Sequence, residues 1–217
     1  MNIEQARFNM IEQQIRPWEV LDPSVLDLLS VVKREDFVPT AHKALAFADL
    51  EIPLESGQVM LAPKIEAKVL QELSLKKTDR VLEIGTGSGY MAALLAACAE
   101  HVVSVEINPA LAAQARQNLQ QAGITNVSVE EGNGANGWSQ RGPYDVIVLS
   151  GSVLTLPDAL LKQLRVGGRL FAIVGTAPVM EAQLITHTIE GVFNTVNLFE
   201  TVVPALQSGP TLNAFSF

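Results

Sequence analysis

One ten-residue stretch, V-L-E-I-G-T-G-S-G-Y at Val81–Tyr90, constrains the chain more than any other. The residues Arg80–Ile84 form an apolar run of strand length. Three glycines, Gly85, Gly87 and Gly89, follow at once, and an Ala/Leu-rich run through Ala99 then reads as a helix. Glycines between a strand and a helix let the backbone turn tightly and let a ligand approach it closely. The alternation continues downstream. His101–Ile107 is a second strand, and Asn108-Pro109 caps a helix running to Gly123, with Pro just inside its start and Gly just past its end. Asn126–Glu130 and Tyr144–Leu149 are the third and fourth strands, and Pro157–Leu164 is helical. Gly167-Gly168 turns into a fifth strand, Arg169–Val174. Nearly continuous apolar strands alternating with helices imply a parallel sheet covered on both faces. Gln183–Glu190 and Thr195–Val203, around Gly191, read as antiparallel strands at one edge.

The first third is different. Ile3–Gln14 reads as a surface helix ending before Pro17. Asp22 and Pro23 open a second helix, with Val25, Leu26, Leu28 and Leu29 on its buried side. A short helix is expected over Ala41–Ala48, a loop over Glu51–Leu61 and an amphipathic helix over Pro63–Leu73. The expected class is therefore α/β: a Rossmann-like, doubly wound, mostly parallel sheet with an N-terminal helical cap and antiparallel C-terminal edge strands. Its 217 residues suit a single domain, 1–75 forming the cap and substrate loop and 76–217 the ligand-binding core.

Composition narrows the functional classes. At 48% hydrophobic and 18% charged, the chain is too apolar to be disordered. A net charge of −8 with scattered Lys and Arg argues against nucleic acid or an anionic membrane as partner. The lone Cys98 reads as a small buried hydrophobe, and no apolar stretch has the length of a bilayer span or a signal-peptide core, so a cytoplasmic setting is expected. With one Cys and three dispersed His, no metal site is expected.

The glycine spacing speaks to the ligand. A dinucleotide fingerprint wants its third glycine at position 90, where Tyr90 stands, which disfavours a nicotinamide oxidoreductase. The G-x-G-x-G spacing, with Glu83 two residues ahead, is the variant found in S-adenosylmethionine enzymes, whose ligand has no pyrophosphate. Glu106, followed by Ile107, ends the second strand about twenty residues past the first glycine, where a carboxylate meets ribose hydroxyls. After the third strand comes Gly132-Asn133-Gly134; Asn133 either contacts an adenine or simply makes a turn.

Several motifs together resemble one family, the protein-L-isoaspartate O-methyltransferases. They are M-I-E-Q-Q-I-R-P near the start, D-F-V-P at Asp36–Pro39, A-F-A-D-L-E-I-P-L-E-S-G-Q at Ala46–Gln58, the Val81–Tyr90 segment, G-x-G-x-x-G-W at Gly132–Trp138, and L-x-x-G-G-R-L near Gly167. The resemblance implies methyl transfer from S-adenosylmethionine to the carboxylate of isoaspartyl residues in damaged proteins. It places Glu83, Gly85, Thr86, Gly87, Ser88, Gly89, Glu106, Ile107, Asn133 and Gly134 at the cofactor. Three departures stand out. The family usually has Asp at Asn133. Its small-residue stretch after the fourth strand, often T-A-A, is here Ser150-Gly151-Ser152. Its loop resembles G-Q-T-I-S-x-P, with a serine assigned an active-site role, whereas this chain reads G-Q-V-M-L-A-P: Gln58, Val59, Met60 and Leu61 are the substrate-loop candidates, and the serine position is Leu61.

Methyl transfer from a sulfonium is an in-line displacement that depends mainly on placing the nucleophile. A carboxylate with a free pKa of about 4 needs no base at neutral pH. His42, His101 and His187, in no recognisable catalytic context, read as surface or half-buried residues, and Phe47 and Trp138 as packing. The apolar loop also motivates an alternative, a methyltransferase with a more apolar small-molecule acceptor; a non-catalytic cofactor-binding homologue is the third reading. The expected partner is an isoaspartyl protein or peptide, or a small carboxylate, met by a monomer or dimer.

Overall fold

The computed structural model describes residues 2–207. The chain enters through α1 (Ile3–Met10), capped by the Asn2 side chain, which accepts from the Glu4 and Gln5 amides. The helical path does not stop before Pro17. It widens to π geometry over Ile11–Ile15, then tightens to a 3-10 turn over Arg16–Trp18. Pro17 has no amide hydrogen for the ladder, so a short tight turn is the way out. Asp22 caps α2 (Pro23–Val31) by accepting from the Ser24 amide at 2.8 Å. Val25, Leu26 and Leu29 are buried there, while Leu28 is only half-buried.

The expected helix over Ala41–Ala48 is instead a 3-10 turn, Thr40–Leu45. The expected Glu51–Leu61 loop contains a minimal antiparallel hairpin, β1 (Ile52–Pro53) with β2 (Val59–Met60). Next come α3 (Pro63–Leu73), β3 (Arg80–Ile84), α4 (Tyr90–Cys98), β4 (His101–Glu106), α5 (Pro109–Gln121) and β5 (Val127–Glu131). The remainder is β6 (Tyr144–Val153), a short α6 (Asp158–Leu161), β7 (Leu164–Thr176), β8 (Val179–Ile189) and β9 (Val192–Thr201).

The main sheet has the order β5-β4-β3-β6-β7-β8-β9. Pairing is parallel from β5 to β7 and antiparallel from β7 to β9. This is the Rossmann-like, mostly parallel sheet with a helical cap and antiparallel edge strands expected from sequence. Gly167-Gly168 does not precede the fifth strand but lies inside β7, where its register against β6 slips between the pairs Tyr144↔Leu164 and Val146↔Arg169.

Successive strand residues point to opposite faces, and the core divides accordingly. Val81, Val102, Val146 and Val148 pack under the cap with α3 and α4. Leu82, Ile84, Val103, Val105, Ile147 and Leu149 pack on the other face with Tyr144, Leu160 and Leu164. By the same alternation Glu83 and Ser104 point toward the cap. Two side chains sit differently from expectation. Cys98 is half-buried because it ends α4 rather than facing the core. His187 is buried, stacked on Phe193 at 4.5 Å with Nδ1 2.9 Å from the Leu164 carbonyl, because β9 covers it. Among the described residues no helix is long and apolar enough to cross a membrane.

Candidate active site

The sheet order places the cleft. From β3 the chain moves outward to β4 and β5, then returns to lay β6 and β7 on the other side. At such a switch point the loops leave in opposite directions and open a crevice beyond the C-terminal strand ends. Gly85 and Gly87 after β3, Glu106 and Ile107 at β4, Gly132–Ala135 after β5, and Ser150 and Gly151 within β6 all line this crevice. Gln58, Val59 and Leu61 close it on the cap side, and Pro204–Gln207 on the far side.

Two glycines make room for it. Gly85 has φ 95°, and a Cβ there would lie 2.9 Å from the Leu206 side chain. A Cβ at Gly134 would lie 2.7 Å from Ile84 Cδ1 and 3.3 Å from Val105 Cγ1. At both positions a side chain that lines the cleft already packs against the backbone where a Cβ would stand, so a larger residue would push Leu206 or Ile84 aside.

Glu106 supplies the charge. It is nearly buried; Oε2 accepts from the Gly87 amide and Oε1 from the Asn108 amide, each at 2.9 Å. A carboxylate offers about four acceptor positions, so each oxygen keeps one for a ligand hydroxyl. Asn133 is exposed at the rim, and its Oδ1 accepts from the Ala135 amide at 2.9 Å. It therefore makes a turn and lines the cleft together, so neither sequence alternative excludes the other.

Other candidates lie below the surface of the cleft. Glu83 is fully buried; Ser150 Oγ donates to its Oε1 at 2.9 Å and Ser104 Oγ to its Oε2 at 2.6 Å. Burial pushes its carboxyl up to about 8, the two serine hydrogen bonds pull it back, and the negative charges of Glu106 and Glu66 add to the rise. Glu83 thus ties β3, β4 and β6 together beneath the glycine loop. Thr86 joins this cluster through Ser104 at 2.6 Å. Gly89 is the cap residue of α4. Met60, Thr86 and Ser88 line a small second cavity behind the 59–61 segment, together with Glu66 and Met91.

Glu66 in the wall of that cavity belongs to a pair that sequence reading did not single out. Arg34 and Glu66 are both buried and form an ion pair, and Arg34 also lies over the Tyr90 ring at 5.1 Å. Burial raises the Glu66 carboxyl to about 7 against the opposing pull of Arg34. The pair lies 32 residues apart in sequence, with no motif linking its members. The cleft contribution of Pro204–Gln207 was equally invisible. It arises because Ser152 donates its amide to the Pro204 carbonyl at 2.9 Å and accepts from the Leu206 amide at 2.8 Å. Ser150-Gly151, directly after an apolar strand, was the one local signal available. Phe47 and Trp138 are packing residues: Phe47 lies under the Arg7 guanidinium at 5.7 Å, and Trp138, half-buried against the core, donates Nε1 to Glu130 at 2.7 Å.

Comparison with known proteins places this arrangement. The family model for protein-L-isoaspartate(D-aspartate) O-methyltransferase matches residues 5–205. A relative from Pelobacter propionicus, protein-L-isoaspartate O-methyltransferase 2, is 43% identical over 180 residues, covering 83% of this chain and 80% of its own. A solved protein-L-isoaspartate O-methyltransferase superposes with a TM-score of 0.80 at 25% identity, over 92% of this chain and 65% of that one. A Plasmodium falciparum beta-aspartate methyltransferase, solved with S-adenosyl-L-homocysteine, shares the fold with a TM-score of 0.79 at 20% identity, over 95% of this chain and 99% of that one. The chain belongs to the protein-L-isoaspartate O-methyltransferase family of S-adenosylmethionine-dependent enzymes.

Proposed function

We propose that the chain methylates the carboxylate of isoaspartyl residues in proteins or peptides, holding S-adenosylmethionine in the crevice beyond β3 and β4. The observation that carries this reading is Glu106, a nearly buried carboxylate with free acceptor positions, in a crevice whose wall includes the backbone of Gly85 and Gly134. Those groups fit the ligand: Glu106 accepts the ribose hydroxyls, Asn133 and Gly134 meet the adenine edge, and Gly85 and Gly87 let the amino-acid end approach the backbone. Ile107 adds apolar contact at the rim. Glu83, Thr86, Ser88 and Gly89 act one layer down by shaping the loop. When bound, the cofactor supplies a methyl group on a sulfonium, and the acceptor carboxylate needs no base to attack it. The chain's task is to place that carboxylate and exclude water, which we assign to Gln58–Leu61.

We assign both tasks to a single domain, with 1–75 as cap and acceptor loop and 76–217 as core; Met1 and residues 208–217 lie outside the described residues. A cytoplasmic enzyme, working as monomer or dimer, completes the proposal, consistent with its free cysteine.

Val59 and Leu61 in the cleft wall favour a second reading, an acceptor more apolar than an isoaspartyl peptide. Labelled methyl transfer to an isoaspartyl peptide, with cofactor binding by calorimetry on the same sample, decides. Turnover supports the first reading. Tight binding with turnover only on small apolar acids selects the second, and tight binding with no turnover on any acceptor points to a non-catalytic homologue. No binding overturns the site assignment.

A further inference from the structure

The segment that reads as the acceptor loop lines the cleft with Val59 and Leu61, whose apolar side chains cannot hydrogen-bond, so its place against the glycine loop must be fixed by other means. The structure offers one. Arg34 Nη2 donates to the Leu61 main-chain carbonyl at 2.7 Å, while Nη1 pairs with Glu66. All three residues are buried, with Arg34 1% and Leu61 8% exposed. Arg34 comes from the turn after α2, Leu61 from the residues after β2, and Glu66 from the first turn of α3. The guanidinium therefore ties three separate parts of the cap to one point, and that point is Leu61 in the segment read as the acceptor loop. Its orientation is fixed in turn by the face of Tyr90, the first residue of α4, which leads directly out of the glycine loop.

A buried ion pair is a poor source of stability, since well-packed apolar residues of similar volume usually serve as well. The geometry here gives the pair another use. A planar guanidinium can hold a carboxylate and a carbonyl at once in fixed directions, which an ammonium or an apolar group cannot. Leu61 borders both the cofactor cleft and the small cavity behind it, so a shift of its backbone alters both.

We propose that Arg34, oriented by Glu66, is a positioning residue for methyl transfer: through the Leu61 carbonyl it holds the acceptor loop in register with the glycine loop, by backbone rather than by side chain. This rests on the reading of Gln58–Leu61 as the acceptor loop. Removing Arg34 alone leaves Glu66 buried without its partner and risks unfolding. The informative variant is Arg34→Met combined with Glu66→Met, which removes both charges and keeps the volume.

In the full chain, KM and kcat for an isoaspartyl peptide, the Kd of S-adenosylhomocysteine, the Tm, and amide hydrogen exchange over residues 54–62 are measured together. The expected result is a Tm close to that of the unaltered chain and a cofactor Kd changed by about threefold or less. Acceptor KM rises about tenfold or more, the scale of one charge-assisted hydrogen bond, and the Val59–Ala62 amides exchange about tenfold faster. Unchanged KM and unchanged exchange in a folded double variant overturn the proposal. If the unaltered chain does not turn over the peptide, the isoaspartyl reading fails instead, and exchange at Val59–Ala62 still decides whether Arg34 holds the loop.

Discussion

The glycine-loop wall of the cleft and the acceptor-loop wall differ in what holds them. On the first, the backbone is the working surface: Glu106 accepts amides from Gly87 and Asn108, and the buried Glu83–Ser104–Ser150 cluster braces the strands below. Every group there lies in a parallel strand or within three residues of its end, so the sheet itself sets the geometry. On the second wall, two-residue strands and 3-10 turns replace long elements, and the residues lining the cleft are Gln58, Val59 and Leu61. Its one strong polar fixture is the buried Arg34. The lesson is that the wall proposed to hold the cofactor is specified by secondary structure, and the wall proposed to hold the acceptor by tertiary contacts to its backbone.

The contrast can be broken most severely at Glu83. Its carboxyl is raised by burial to about 8 in the folded chain, from an ordinary value of 4.5. The raised value means that its contribution is fully present below about pH 4.5. It is lost as pH rises toward 8, because the unfolded chain releases the proton first. Stability should therefore fall by a few kcal/mol across that window, and Glu83→Gln should flatten the fall in denaturant titrations at several pH values. An equally steep profile in the variant would remove Glu83 as the brace of that wall.

Glu106→Ala comes next. Loss of the carboxylate proposed to accept the ribose hydroxyls should weaken S-adenosylhomocysteine binding by about 100-fold in calorimetry, the scale of two hydrogen bonds to a charged group. A change of threefold or less would mean the carboxylate serves only the Gly87 and Asn108 amides. On the opposite wall, Leu61→Ser restores a hydroxyl at the acceptor position. It should raise kcat/KM for an isoaspartyl peptide by about fivefold, even though truncating a buried Leu costs about 2 kcal/mol or more of stability. No gain would show that other loop positions also limit the acceptor. The smallest effect is expected at Asn133→Asp. A charged acceptor makes a stronger hydrogen bond to an amino group, so cofactor affinity should rise about threefold, with the Ala135 turn intact. A fall in affinity would place Asn133 in the turn alone.

Sequence by itself determined the glycine-loop wall of the cleft. An apolar strand, three glycines and an acidic residue one strand later are local patterns, and parallel β-α units convert such patterns into fixed positions at one edge of a sheet. It also gave the α3, β3 and α5 boundaries to within two residues or so, because each has a Pro, Asn or Gly punctuating an apolar period. It misjudged the stretches where local signals compete: Pro17 did not end the helical path, and Gly167-Gly168 fell inside a strand.

Only the tertiary structure decided the rest. It placed Glu83 beneath the cleft rather than in its wall, because residues 83 and 104 share the face turned toward the cap. It brought Pro204–Gln207 to the cleft through Ser152, and Arg34 to the Leu61 carbonyl across 27 residues. Contacts of that kind carry no periodicity and no spacing rule. They exist because a buried carbonyl or carboxylate must find a partner, and which partner is near depends on how the layers have already packed.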